Sequence, residues 1–520
     1  MAGATSNPNM TIQLTPALIV TAFADRRDLI TGQLGAVATG VSGALNIDVH
    51  LLTTAQVKIK FGATSELTYR VLAWQFGNDG YSPLDVIGVD EAGGATAATS
   101  EYVVTGTATE DGTITVSAVD EKQFSIDVSI SSGDINTVIS AAINTALGTL
   151  TDPPFTNAVV TDTVTLTAVD KGTGANSYGL KVSGNVGGVS IALTGWTGGA
   201  TSPTLTTILD PIAGQRYTGL SWPEAWFSDI DIPVDEFDSR FNVSNDILDG
   251  VVFTGHTDTF ANNTSAVAPL NSQSLVVAGN NTIVETAQDG PAILIPADWA
   301  QAYFMGVRSK RLTPGAPVAD DIISTSGPLD AFGGPHNASL PYFNTPMANV
   351  PVTAPTFLFS QLEQGFLEAD GFSTFGVNTA GNTMISGVTV TTWTTDAAGN
   401  PNDSFHFLNF VDTGSVCREI FFRNLKATYA QSRLTEGDLI PGHSIANAES
   451  IKAELLRIYR ILSNQALTQA GAEAESFFAR NTTVTVDLAA RLATIAGPLP
   501  IVTQLGVINY TLQFAFTTGQ

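Results

Sequence analysis

Asp229, Asp231, Asp235, Glu236 and Asp238 place five carboxylates within ten residues. Closely spaced carboxylates can pass protons or hold a Ca²⁺ ion. Here the spacing is not that of an EF-hand loop, and Pro233 interrupts the run. The cluster therefore reads as a solvated acidic surface. The five histidines are His50, His256, His336, His406 and His443, and no two stand at the spacing of paired helical zinc ligands. Gly255-His256-Thr257-Asp258 brings an imidazole close to a carboxylate, but no GxSxG nucleophile elbow accompanies it. These histidines read as satisfied loop or core residues. Gly172-Thr173-Gly174 belongs to no phosphate-binding or dinucleotide motif and reads as a turn. Cys417, flanked by apolar residues on an expected helix, reads as a small buried hydrophobe. Arg308-Ser309-Lys310-Arg311 is a local basic cluster, read as a solvated loop or as a contact to an acidic neighbour. No nucleophile, base and orienting group come together. The chain is expected not to be an enzyme and to need no cofactor or metal.

The elements around these residues suggest assembly. A chain of 520 residues is long enough for about three or four domains. Charged residues make up 13%, about half the usual ~25%. So few charges imply a surface of small polar residues, or one hidden against other subunits. The net charge is −26, which argues against a nucleic-acid binder. That charge is uneven. From Arg418 onward nine basic residues face eight acidic ones, while the first 417 residues hold 13 basic and 40 acidic. One surface is thus expected to be strongly acidic and another near neutral. The one cysteine excludes an intramolecular disulfide. No signal peptide and no apolar run of membrane-spanning length are expected.

Residues 1–30 read as an arm. Thr11-Ile12-Gln13-Leu14 alternates like a strand, Pro16 interrupts it, and an apolar run containing Leu18 and Val20 follows. Such a strand needs a distant partner or another chain. Residues 31–95 read as mixed α/β, with a helix over Thr53–Phe76 broken near Gly62 and a buried strand over Leu84–Val89. Residues 96–204 read as an inserted β-rich domain, with strands over Thr113–Val119, Phe124–Ile130, Val159–Ala168 and Tyr178–Val182. Its helix is expected over Ile135–Leu147, capped by Asp134, with Ile135, Val138, Ile139, Ala142, Ile143 and Ala146 on one face. Residues 205–355 carry the least pattern. In 356–500, helices are expected over Phe357–Phe366, Val416–Leu434 and from Asn447, and strands over Thr383–Thr394. The helix from Asn447 buries Ile451, Leu455, Ile458 and Leu462 and turns Arg457 and Arg460 away, with Lys452 on the flank. Residues 501–520 form a second arm, in which Ile508, Tyr510, Leu512, Phe514 and Phe516 alternate with polar or small residues. An exposed strand of this kind invites aggregation, so it must be paired in its own domain or with a neighbour.

An ordered series of segments in the C-terminal third resembles the contractile-tail sheath proteins of Mu-like phages. It runs through Gly371-Phe-Ser-Thr-Phe-Gly-Val-Asn378, Val388-Thr-Val-Thr-Thr-Trp-Thr394, Gly399-Asn-Pro-Asn-Asp403 and the Arg418–Arg433 helix. Gly442-His-Ser-Ile-Ala-Asn447, Ile451-Lys-Ala-Glu-Leu-Leu-Arg-Ile-Tyr459 and the closing strand Ile508–Phe516 complete it. Gly106-Thr-Ala-Thr-Glu-Asp-Gly-Thr-Ile-Thr-Val116 and Val164-Thr-Leu-Thr-Ala-Val-Asp-Lys-Gly172 resemble the outer β domain of the same proteins.

The resemblance implies an α+β multidomain chain. Its parts are a mixed α/β sheath core (31–95), an inserted outer β-rich domain (96–204), a middle domain (205–355), a tube-facing C-terminal domain (356–500), and extended β arms at 1–30 and 501–520. It implies stacked hexameric rings of this chain around a tail tube protein, with baseplate and tail terminator proteins at the ends. Such a sheath contracts to drive the tube through the host envelope. The arms, carried by Thr11, Ile12, Gln13, Leu14, Leu18, Val20, Ile508, Tyr510, Leu512, Phe514 and Phe516, would add strands to neighbouring subunits. Lys452, Arg457 and Arg460 would face the tube. No direct nucleic-acid contact and no membrane insertion are expected. The chain would be assembled in the host cytoplasm and end in the virion. A tailocin sheath would use the same subunit, and a β-rich fibre or adhesin is the rival reading.

Overall fold

The computed structural model describes residues 9–14, 26–35, 38–119, 123–240, 249–281, 296–313, 358–377, 383–429 and 431–502, with Ala338, Leu340, Tyr342 and Met347. Of 9–14, 377 and 383, only the backbone is described. Leu18, Val20 and the whole strand Ile508–Phe516 lie outside the described residues.

Strand β1 (Asn9–Leu14) precedes the core strands β2 (Asp28–Gln33) and β3 (Leu45–Asn46). The expected helix over 53–76 is two helices, α1 (Thr54–Phe61) and α2 (Glu66–Asn78). Thr53 and Gln56 cap α1 reciprocally, and the Ser65 hydroxyl accepts from Thr68 N to start α2. Gly62, at φ 97°, makes the break, and a side chain there would collide with Gly35. Strand β4 (Leu84–Val89) is buried throughout.

The inserted region holds β5 (Ala97–Gly106), β6 (Gly112–Val119), β7 (Ser125–Ile130), α3 (Asn136–Leu147), β8 (Phe155–Val160), β9 (Thr163–Lys171), β10 (Gly179–Ser183) and β11 (Val189–Thr197). They form a three-stranded sheet, β10-β6-β7, and a four-stranded one, β11-β5-β9-β8. The region leaves and re-enters the core side by side, where Thr96 N donates to Ala200 O at 3.1 Å. Asp134 does not cap α3. Its carboxylate instead accepts from Ser131 N, and Ile135 holds the cap position. Ile139, Ile143 and Leu147 form the buried face, while Ile135 and Val138 are exposed.

The region with the least sequence pattern supplies the centre of the molecule. It contributes β12 (Gly219–Trp222), α4 (Asp231–Arg240), β13 (Val251–Gly255), α5 (Phe260–Val267), β14 (Leu275–Gly279) and α6 (Ala297–Leu312). Helix α7 (Gln361–Ala369), β15 (Phe372–Val377) and β16 (Thr383–Ser386) follow. The central sheet has eight strands in the order β16-β15-β14-β13-β12-β2-β4-β3, parallel except at its two edges. Its central strands are buried on both faces and so lack alternation. Helices α2 and α6 cross at very close range: a Cβ on Gly77 would meet Tyr303 O, and one on Gly306 would meet Trp74 O.

The last part comprises α8 (Leu408–Tyr429), the short pair β17 (Arg433–Leu434) and β18 (Ile445–Ala446), α9 (Ala448–Asn464), α10 (Ala472–Asn481), β19 (Thr483–Asp487) and β20 (Leu492–Pro498). Helix α8 begins eight residues before the expected Val416. The expected strands over 383–394 reduce to β16, and the helix expected from Phe357 starts at Gln361. Asn447 and Ser450 cap α9 reciprocally. Ile451, Leu455, Ile458 and Leu462 pack with α8 and β20 in a separate core cluster.

Candidate assembly surfaces

The N-terminal strand finds its partner far away in the chain. Thr11, Ile12, Gln13 and Leu14 pair antiparallel with Ala496, Ile495, Thr494 and Ala493 of β20. Among the described residues the small sheet is ordered β1-β20-β19, which leaves β1 at an edge. An edge strand presents a row of unpaired backbone groups to another chain. Residues 15–25, which join it to the core, lie outside the described residues.

On α9, Arg457 and Arg460 project into solvent as expected, but both have partners within the chain. Arg457 Nη2 lies 2.6 Å from Glu454 Oε1, and Arg460 Nη2 lies 2.6 Å from Glu475 Oε1. Lys452, half-buried, makes no ion pair among the described residues.

A buried ionic network joins the N-terminal segment, the core and α8. Glu419 Oε2 accepts from Arg26 Nη2 at 2.6 Å and Arg216 Nη2 at 2.9 Å, while Arg423 reaches Glu419 Oε1 at 2.7 Å. Burial alone would raise the Glu419 carboxyl, but the Arg26 and Arg216 charges hold it well below the usual range. Arg418 pairs with Asp249 at 2.9 Å beside it.

Sequence reasoning missed a carboxyl-rich seam between the core and the inserted region. The central sheet reverses its winding between β2 and β12, the position where open α/β sheets form a crevice. Here Glu66 at the start of α2 meets Asp170 from β9, whose Oδ2 accepts from Glu66 N at 3.2 Å. Gly174 leaves room for the Glu66 carboxylate, since a Cβ there would lie 2.5 Å from Glu66 Oε2. Arg70 donates to Thr31 O and Ser221 Oγ, each at 2.5 Å, and its Nε lies 3.7 Å from buried Asp298. The crevice holds ≈ 20 Å³, room for one water and not for a substrate. Burial raises Asp170 to about 7, and burial with the nearby Asp298 charge raises Glu224 to about 8. Burial, then Asp298, also pushes Glu66 well up.

These carboxyls hold protons in the folded chain at pH values where the unfolded chain has lost them. The stability that Asp170 and Glu224 contribute is therefore expected to be lost as pH rises from about 4.5 through 8. D170N combined with E224Q should flatten that slope in urea titrations between pH 6 and 9. An unchanged slope would remove the seam as its source.

Most of the other candidates have structural partners, and His336 lies outside the described residues. Among the five acidic residues near α4, Glu236 pairs with Arg240 at 2.6 Å and Asp238 accepts from Ser272 Oγ. Pro233 sits in the first turn of α4 and does not break it. Among the described residues, no three His, Cys, Asp or Glu side chains are arranged to hold a metal. His50 Nδ1 accepts from Leu84 N, His256 Nδ1 bonds Asn263 Oδ1, and His406 Nδ1 bonds Trp393 O. Cys417 is fully buried, and burial raises its thiol far above the usual range. The basic cluster is not a solvated loop but the last turns of α6. Arg308 is buried there against Asp412, and Lys310 reaches Asp79 at 3.2 Å. No helix among the described residues is long and apolar enough to cross a membrane.

No family model matches the chain. A curated relative, the Mu-like prophage FluMu tail sheath protein of Haemophilus influenzae, is 23% identical over 431 residues, covering 81% of this chain and 80% of the relative. Among solved structures, a sheath tail protein from Listeria innocua superposes with a TM-score of 0.46 at 10% identity, covering 94% of this chain and 95% of that one. The resemblance to a Mu-like tail sheath protein is thus found along most of the chain.

Proposed function

We propose that this chain is the structural subunit of a contractile tail sheath, polymerising in stacked rings around a tail tube and contracting to drive that tube through a host envelope. The similarity to a tail sheath protein over four-fifths of both chains carries the reading. The geometry supports it at one place. The β1–β20 ladder closes within one chain, yet β1 stands at an edge among the described residues and is supplied from far away in sequence. The same ladder formed with a neighbour's β20 would link subunits without a new interface. The arm at 501–520 would supply a second link of the same kind. Main-chain ladders of this sort would hold while the core and inserted region rotate as rigid bodies during contraction. The role is structural and not enzymatic, with itself and a tail tube protein as the main partners, baseplate and terminator proteins at the ends, and the virion as its place.

Lys452, Arg457 and Arg460 are proposed to meet an acidic tube. Because Glu454 and Glu475 already offset the two arginines, Lys452 would carry the greater share of the attraction. The variant K452E/R457E/R460E should still polymerise alone, while co-sedimentation of a co-produced tube protein falls by roughly tenfold or more. Undiminished co-sedimentation would place the tube contact elsewhere.

A further inference from the structure

Helix α7 carries its apolar residues on the wrong side for a core helix. Leu362, Gly365, Phe366 and Ala369 are all exposed, with Leu362 at 70% and Phe366 at 54%. Their spacing is i, i+3, i+4, i+7, the anchor pattern by which one helix seats in another surface's groove. Only Leu367 is buried. The flanking charges are Glu363, Glu368 and Asp370, and the segment 361–370 holds no basic residue.

At the far edge of the central sheet lies a groove of ≈ 340 Å³ between β3 and α1. Val41, Leu52 and Ile59 give it an apolar lining, and Val41 and Ile59 are 69% and 64% exposed. Its one charged lining residue is Lys60, which makes no ion pair among the described residues. The groove is thus apolar with a positive rim, and the helix is apolar with negative flanks.

The two surfaces cannot meet within one chain. Helix α7 is fastened at the β16 edge, where Ser386 Oγ donates to Gln364 Oε1 at 2.8 Å. The groove adjoins β3, the opposite edge. Seven strand spacings separate these edges, about 34 Å at ~4.8 Å each. A contact between them must be intermolecular and head-to-tail, a geometry that closes into a ring or winds into a helix.

We propose that α7 of one copy seats in the β3–α1 groove of the next, Leu362 and Phe366 entering beside Ile59 while Lys60 faces the acidic flank of the helix. The inference rests on the self-assembly reading above and names the mating surfaces. The test mixes full-length I59C and F366C chains under mild oxidation. Native Cys417 is fully buried and does not compete. The expected result is a disulfide-linked heterodimer from the mixture and none from either chain alone, and a covalent ladder from I59C/F366C. L362D/F366D should reduce sedimentable polymer at least tenfold without shifting the thermal midpoint. Polymers visible by microscopy that give no cross-link would overturn the docking and leave self-assembly standing. Dimers from F366C alone would overturn it in favour of a symmetric contact. Chains that neither cross-link nor polymerise would overturn both readings.

Discussion

Removing residues 1–14 is expected to yield a folded chain that no longer forms ordered polymers. Deletion strips six residues from one edge of the β1-β20-β19 sheet. Strand β20 keeps its antiparallel partner β19, and Ala493 and Ile495 stay packed against the core of α8 and α9. The lost ladder is worth about 1 kcal/mol per hydrogen bond, so the subunit loses a few kcal/mol and not its fold. Assembly suffers more if this strand is what neighbours exchange. Sedimentation should then show monomers where the full chain pellets. The single substitution Ile12→Pro interrupts the ladder at its Ile495 partner and should have the same effect in milder form. Polymers from the truncated chain equal in amount and order to those of the full chain would remove β1 from the assembly mechanism.

The second large effect is on stability. Arg308 is buried, its Nε lies 3.0 Å from both Asp412 oxygens, and its Nη2 lies 2.5 Å from Asp412 Oδ1. Its Nη1 donates to Thr218 O at 2.8 Å, and Tyr342 donates its hydroxyl to Asp412 Oδ2 at 2.6 Å. The pair fastens α6, against the central sheet, to the first turns of α8. Removing one partner strands the other's charge in the interior, so R308M or D412L alone should cost about 3–5 kcal/mol. The double variant R308M/D412L should cost much less than the sum, because neither charge is then left unpaired. Urea denaturation of the four proteins measures the coupling. Additive losses, or single losses below about 1 kcal/mol, would show the pair to be solvated in a way the burial of both residues does not suggest.

The elements with strong local signals were legible in the sequence. Asn447 with its following stripe of Ile451, Leu455, Ile458 and Leu462 marked α9, and Gly62 marked the break between α1 and α2. The alternation through Thr113–Val119 marked β6. The centre of the molecule was not legible, for a physical reason. Strands β12, β13 and β14 have four or five residues each and are buried on both faces, so nothing in them alternates. Their parallel pairing depends on residues up to about two hundred positions away, as between Gly219 and Asp28. The seam of Glu66, Asp170, Glu224 and Asp298 escaped notice because its members are scattered through the sequence and meet only at the reversal of sheet winding. Arg308 looked like part of an exposed basic run because its acid partner, Asp412, is remote in the chain. The apolar strip of α7 is different. Its i, i+3, i+4, i+7 spacing is plain in the sequence, but only the structure shows that it faces outward and not into the core.

Whether this chain builds a sheath is tested most directly by electron microscopy of the chain purified alone and with a co-produced tube protein. Hollow helical tubes of stacked rings are the predicted result. A uniformly dispersed monomer in both preparations would contradict it.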